Sequence, residues 1–124
     1  FHLIPSGILY DNTICLIGSG TVIHPESFKK EMEELKSQGV DFKNLKISPL
    51  ATITMPYHIE VDGWSEDNAG KGKIGTTKRG IGPTYTDKMA RVALKIQDLY
   101  SFEALNEKLD MIYFIGLSQH LMKL

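Results

Sequence analysis

The sequence predicts an α/β fold, part of a larger layered α/β domain with a central sheet and with helices following a basic loop. Three observations carry that expectation. A run of β-formers over 13–17 passes through Gly18-Ser19-Gly20 into a stretch with helical periodicity, and strand, loop and helix in succession are the parts of a helix-on-sheet layer. Strand-like residues return at 45–47 and 51–55. The composition is that of an ordinary globular chain, with 42% hydrophobic and 23% charged residues among 124, a length that suits one domain.

Each element follows from local chemistry. A short apolar run from Phe1 ends at Pro5-Ser6-Gly7, a turn signal. Thr13 to Ile17 reads as a buried strand and Thr21-Val22-Ile23 as its brief resumption. Pro25 to Gln38 reads as a helix. Phe28, Met32 and Leu35 form its apolar stripe, Pro25 suits the first helical position and Gly39 the C-terminal cap. Leu45 to Ile47 and Ala51 to Met55 are strand material around Ser48-Pro49. The polar, glycine-containing run from Asp62 to Gly72 offers little to anchor a core, which predicts a mobile loop. A helix is expected from Gly82-Pro83, with Tyr85, Met89, Val92, Ala93 and Ile96 as its apolar stripe and Lys88, Arg91 and Lys95 as a basic column. Ser101 suits the N-cap of a last helix with Phe102, Leu105, Leu109 and Ile112 facing inward. The chain thus divides into a strand-and-helix scaffold over 1–61, a mobile loop over 62–82 and a helical segment over 83–124.

Several functional classes lack support. The formal net charge is −1, so no global pull toward nucleic acid or membrane is expected. The charge-free stretch from Met111 to Met122 is shorter than the roughly 20 residues a membrane helix needs. A single cysteine, Cys15, forms no internal disulfide. It suits a buried position and a reducing, cytoplasmic compartment. His2, His24, His58 and His120 are scattered without metal-ligand spacing, so no metal site is expected. The chain opens on Phe1-His2-Leu3-Ile4 and closes on Leu121-Met122-Lys123-Leu124. It therefore reads as an excised piece whose uncovered apolar surface favours association.

The chemistry concentrates in one stretch. Residues 71–95 hold seven basic side chains, Lys71, Lys73, Lys78, Arg79, Lys88, Arg91 and Lys95, against a single acid, Asp87. Gly72, Gly75, Gly80 and Gly82 let backbone N–H groups approach an anion, and Thr76 and Thr77 add hydroxyls. The helix expected at Pro83 points its positive end at the same loop. Glycines, hydroxyls, cations and a helix start converge on a phosphate. Two other motifs fail on context. Gly70-x-Gly72-x-x-Gly75 follows no predicted strand, and Gly75-x-x-x-x-Gly80 has Ile81 where a P-loop needs lysine. A bland alternative stays open: a basic-loop module for phosphate or nucleic acid without catalysis. It lacks the aromatic residues between Lys71 and Arg79 that base stacking uses.

The run IGTTKRGIGPTYTDKMAR, residues 74–91, resembles the signature of the adenylosuccinate synthetase family, in most members G-T-T-G-R-G-I-G-P-A-Y-x-D-K-x-A-R. HLIPSGIL, LIGSGTVIHPESF and Ile96-Gln97-Asp98-Leu99 resemble further stretches of the family in the same order, as far as about Asp110. The resemblance implies a GTP- and Mg²⁺-dependent ligase that joins IMP and aspartate in two stages. Phosphoryl transfer to the purine 6-oxygen creates a leaving group, which the aspartate amine then displaces. It implies that Thr77 bonds the IMP 5′-phosphate and that Arg91 reaches the IMP of the neighbouring subunit in a homodimer. Arg79 would hold the aspartate carboxylate, with Lys88 beside them. The family's glycine-rich GTP loop, its catalytic histidine and the guanine- and aspartate-recognition segments have no match here. The isolated chain is therefore expected to be inactive, with the main GTP and Mg²⁺ ligands elsewhere. Lys78 stands where the family usually has glycine, and a left-handed backbone there would strain a lysine.

Overall fold

The computed structural model describes residues 1–121. Four short strands build the scaffold: β1 (Cys15–Ile17), β2 (Val22–Ile23), β3 (Leu45–Ile47) and β4 (Thr52–Ile53). β1 pairs with β3 and β2 with β4, both in parallel, with Cys15 opposite Leu45 and Val22 opposite Thr52. Each half is an interrupted strand. Gly18-Ser19-Gly20 breaks the first and Ser48-Pro49-Leu50 the second, while bonds from Ser48 N–H to Ile17 O and from Thr52 N–H to Thr21 O flank the breaks. Helix α1 (Pro25–Ser37) connects them. A parallel pair needs such a crossover, so the first 53 residues form a βαβ unit.

Helix α1 forms where its stripe predicts. Leu35 is buried against Ile4, Ile8 and Cys15, with Phe28 and Met32 packed beside them. His24 caps its start, its Nδ1 accepting from Ser27 N–H. At its end Gly39 adopts φ +85°. Gly39 N–H bonds Lys36 O and Val40 N–H bonds Leu35 O, the two bonds of a Schellman cap. Glu31 on α1 accepts from the N–H groups of His2 and Leu3 at 2.7 and 2.8 Å. Burial alone would push its carboxyl up, but these backbone donors hold it below its usual range.

The stretch expected as a loop from residue 62 is helical as far as Asn68. Helix α2 spans Pro56–Asn68, and its buried residues are His58, Asp62 and Glu66. They recur every four residues, so α2 packs through a titratable stripe rather than an apolar one, which is why apolar periodicity misses it.

Helix α3 (Ile81–Met89) is shorter than expected. Arg91 adopts φ +61°, Arg91 N–H bonds Lys88 O, and Val92 N–H bonds Asp87 O. This is again a Schellman cap, with arginine in the glycine position. The chain then leaves the helix and runs antiparallel to β4. Ile53 N–H bonds Leu94 O, Ile96 N–H bonds Ala51 O, and Lys95 stands opposite Thr52. The expected stripe through Ile96 is therefore cut. Met89 is 72% exposed, whereas Ala93 and Leu94 are buried from an extended segment. A 3-10 turn, Ile96–Tyr100, leads into α4 (Phe102–Leu121). Ser101 Oγ accepts from Ala104 N–H, as an N-cap should. Ile112 joins Ile53 and Leu94 in a core cluster with Leu105 beside it, but Phe102 is 78% exposed rather than inward. Residues 122–124, with which the expected helical segment ends, lie outside the described residues. Among the described residues no helix is long and apolar enough to cross a membrane.

Leu16 in the middle of β1 is 65% exposed, and Leu50, Trp64, Ile74, Tyr100 and Phe114 are exposed as well. Parallel sheets are ordinarily covered on both faces; here β1 is covered on one.

Candidate functional site

The basic loop runs between α2 and α3, and three carboxylates on those helices organise it. Glu66 takes both bonds at the loop's start: its Oε1 accepts from Gly75 N–H at 2.8 Å and its Oε2 from Ile74 N–H at 3.3 Å. Asp62, one turn earlier, accepts from Gly80 N–H at 2.9 Å. Asp87 on α3 accepts from the Tyr57 hydroxyl at 2.5 Å and from His58 Nε2 at 2.9 Å. His58 Nδ1 accepts Met55 N–H at 2.8 Å, so the ring is a neutral tautomer with its proton on Nε2. Burial pushes the His58 pKa down against the pull of Asp87. Burial and then Asp87 push the Tyr57 hydroxyl far up. Both side chains stay neutral and serve as donors that pin α3 to α2.

Gly80, at the start of α3, lies tight against the backbone of α2. It has φ +77°, and a Cβ there would lie 2.8 Å from Ile59 N and 2.9 Å from the His58 carbonyl carbon. The buried Thr84 hydroxyl closes the turn, 2.6 Å from Gly80 O and 3.1 Å from Thr54 Oγ1.

These bonds correct one part of the sequence reading. The N–H groups of Gly75 and Gly80 were expected to face an anion, but carboxylates hold them inward, and Gly72 N–H bonds Ala69 O. Between the two anchors lie Thr76-Thr77-Lys78-Arg79, of which Thr76 is half-buried with its Oγ1 accepting from Lys78 N–H. Thr77 and Arg79 are exposed. Lys78 has φ +53°, the left-handed region expected to strain it. Its ammonium reaches Asp67 on α2 at 2.5 Å and lowers the Asp67 carboxyl below its usual range.

Lys88 and Arg91 lie elsewhere. With Lys95, Ser19, Leu50 and Met89 they line an open cleft of about 450 Å³. The basic column therefore survives although its helix does not, because after the αL turn at Arg91 an extended segment brings Lys95 back beside it. Lys88 Nζ donates to Ser19 O at 2.8 Å, and the Tyr85 hydroxyl donates to Gly20 O at 2.9 Å. These bonds tie the Gly-Ser-Gly break to α3. Thr77 and Arg79 are not among the cleft residues, so the four predicted binding residues fall into two groups, Thr77 with Arg79 and Lys88 with Arg91.

The sequence reading missed Asp62, Glu66 and Asp87 as organisers of the site. The usable signal was the spacing of His58, Asp62 and Glu66, which places three titratable groups on one helix face. A Mg²⁺ ion does not fit these residues. Asp62 and Glu66 already accept backbone N–H groups, which point their positive ends where a cation would sit. Among the described residues no three His, Cys, Asp or Glu side chains gather as metal ligands do.

A parallel βαβ scaffold displaying an anchored Thr-Thr-Lys-Arg loop and a basic cleft defines an α/β protein. The adenylosuccinate synthetase family model matches residues 1–121, and the chain belongs to that family. It is 54% identical over 108 residues to adenylosuccinate synthetase of Carboxydothermus hydrogenoformans, covering 87% of this chain and 25% of that protein. It is 55% identical over 109 residues to that of Microcystis aeruginosa, covering 88% of this chain and 24% of that protein. Its fold is similar to a solved structure described as fully ligated adenylosuccinate synthetase from Plasmodium falciparum. The TM-score is 0.78 at 36% identity, over 99% of this chain and 28% of that one. The chain thus spans about a quarter of the length of the curated relatives it matches, and the α/β architecture expected from sequence is the one found.

Proposed function

We propose that this chain is the substrate-gripping portion of a purine-biosynthesis ligase that joins IMP and aspartate at the expense of GTP. The observation that carries this reading is the run Thr77-Lys78-Arg79, exposed between two anchored glycines in a member of this family. Thr77 would donate its hydroxyl to the IMP 5′-phosphate. Arg79, two residues on, would present a planar guanidinium to the aspartate carboxylate. Arg91 sits apart from Thr77, in the cleft with Lys88 and Lys95. That separation supports a homodimer in which Arg91 completes the phosphate site of the neighbouring subunit. The bare face of β1 and the exposed apolar side chains then suit burial against the remainder of the enzyme. The residues for GTP and Mg²⁺ belong to that remainder, and Mg²⁺ would neutralise phosphate charge there. The chain's own part is binding and orientation, which supply much of the catalysis in phosphoryl transfer. On this reading the enzyme works in the cytoplasm.

The test is binding of IMP and of single-stranded DNA to protein carrying this segment, with and without Arg91→Ala. Saturable IMP binding that weakens about 10-fold or more in the variant is expected, the loss of one charge-assisted contact. Strong DNA binding that falls steeply with salt and shows no IMP preference would replace this reading with a basic nucleic-acid module.

A further inference from the structure

We infer that Asp62 and Glu66 are positioning residues for substrate binding, setting the presentation of the Thr76–Arg79 array from the α2 face beneath it. This deepens the proposed function and rests on it. The two carboxylates lie four residues apart on one helix, and each residue is only 8% exposed. No ion pair involves either of them among the described residues; the groups they accept from are backbone N–H groups. A buried carboxylate with no cation beside a phosphate site is costly unless its lone pairs are filled. Here the loop itself fills them: Glu66 holds both Ile74 and Gly75, and Asp62 holds Gly80. The bonds bracket the four residues between them. They also hold the loop's ends inward while Lys78 is at φ +53°, a conformation an unanchored lysine would leave. Thr77 and Arg79 thus keep a fixed spacing, so one pair of anchors governs both substrates.

The number of N–H groups on each carboxylate gives the anchors different tolerances. Asp62 accepts one N–H, so the amide oxygen of Asp62→Asn can replace it. Glu66 accepts one N–H on each oxygen, and the amide of Glu66→Gln replaces one acceptor with a donor that opposes a donor.

The experiment compares Asp62→Asn, Asp62→Ala, Glu66→Gln and Thr77→Ala in the full enzyme carrying this segment, by steady-state kinetics and by amide exchange of the ligand-free protein. Glu66→Gln and Asp62→Ala are expected to raise KM for IMP and for aspartate together by about 5-fold or more, with KM for GTP unchanged and kcat within about 2-fold. Asp62→Asn stays near the parent. Exchange at Gly75 quickens about 10-fold or more in Glu66→Gln while α1 is unaffected. A merely structural role would lower the active fraction, reducing apparent kcat with every KM unchanged, and that pattern overturns the inference. So does unaltered exchange at Gly75 and Gly80 in Glu66→Gln and Asp62→Ala. Thr77→Ala separates the two claims. If it leaves KM for IMP untouched, the proposed function fails, whereas the exchange data still decide whether the anchors hold the loop.

Discussion

Substituting alanine at three glycines around the loop should cost three different amounts, because each occupies a different environment. At Gly72 a Cβ meets nothing within 4 Å and the backbone is not left-handed, so Gly72→Ala should change stability by no more than about 0.5 kcal/mol. Gly75 has open space but φ +75°, so Gly75→Ala pays only the left-handed strain of about 1–2 kcal/mol. Gly80 combines φ +77° with a Cβ position 2.8 Å from Ile59 N and 2.9 Å from the His58 carbonyl carbon. Those are backbone atoms of α2, which no rotamer change can move, and an ordinary contact is roughly 3.5–4.0 Å. Relief means prising α3 from α2, which weakens the Asp62 bond to Gly80 N–H and the Asp87 bonds to Tyr57 and His58. Strain plus overpacking puts Gly80→Ala at about 3–4 kcal/mol. That corresponds to a fall in Tm of roughly 12–15 °C for a folding unit of this length. Urea denaturation of the three variants gives the ranking directly. If Gly80→Ala is no more destabilised than Gly75→Ala, the close approach of the helices is not what sets the cost.

Two further outcomes follow from the backbone and the buried histidine. Arg91→Gly relieves a left-handed arginine and should raise stability by about 0.5–1 kcal/mol net of the entropy glycine adds to the unfolded chain. The same variant should bind IMP more weakly; a destabilised Arg91→Gly would show that the cap is not strained. The His58 pKa is lowered in the fold, so the unfolded chain takes up the proton first. The stability it contributes is present above its unfolded pKa of about 6.5 and is lost as pH falls through the folded value. Tm should therefore decline on acidification from about pH 6.5, with a shallower decline in His58→Gln; parallel profiles for the two proteins would count against it.

Legibility in the sequence followed how common each residue is for the job it does. The βαβ unit was readable because Phe28, Met32 and Leu35 keep helical spacing and the strand segments are rich in β-formers. The two Schellman caps show the contrast. At Gly39 the cap residue is the usual one and the end of α1 is legible. At Arg91 the same two backbone bonds form around an arginine, so the sequence gives no stop signal and a helix through Ile96 looks continuous. Helix α2 was illegible because its buried positions are His58, Asp62 and Glu66, which leave no apolar stripe, and the polar run from Asp62 resembles a loop.

By itself the sequence determined the α/β class and the family, since these rest on residue types in a fixed local order. The left-handed strain at Lys78 also belonged to it, through the glycine usual at that position. Tertiary structure alone decided that the glycine N–H groups at 75 and 80 turn inward and that Thr77 and Arg79 ride on carboxylate anchors. It also decided that Lys88, Arg91 and Lys95 meet in a separate cleft. The physical reason is that a buried carboxylate takes whichever donors the fold brings to it. Asp62 and Gly80 are 18 residues apart, so their meeting is fixed by the packing of α3 on α2 and by no local pattern.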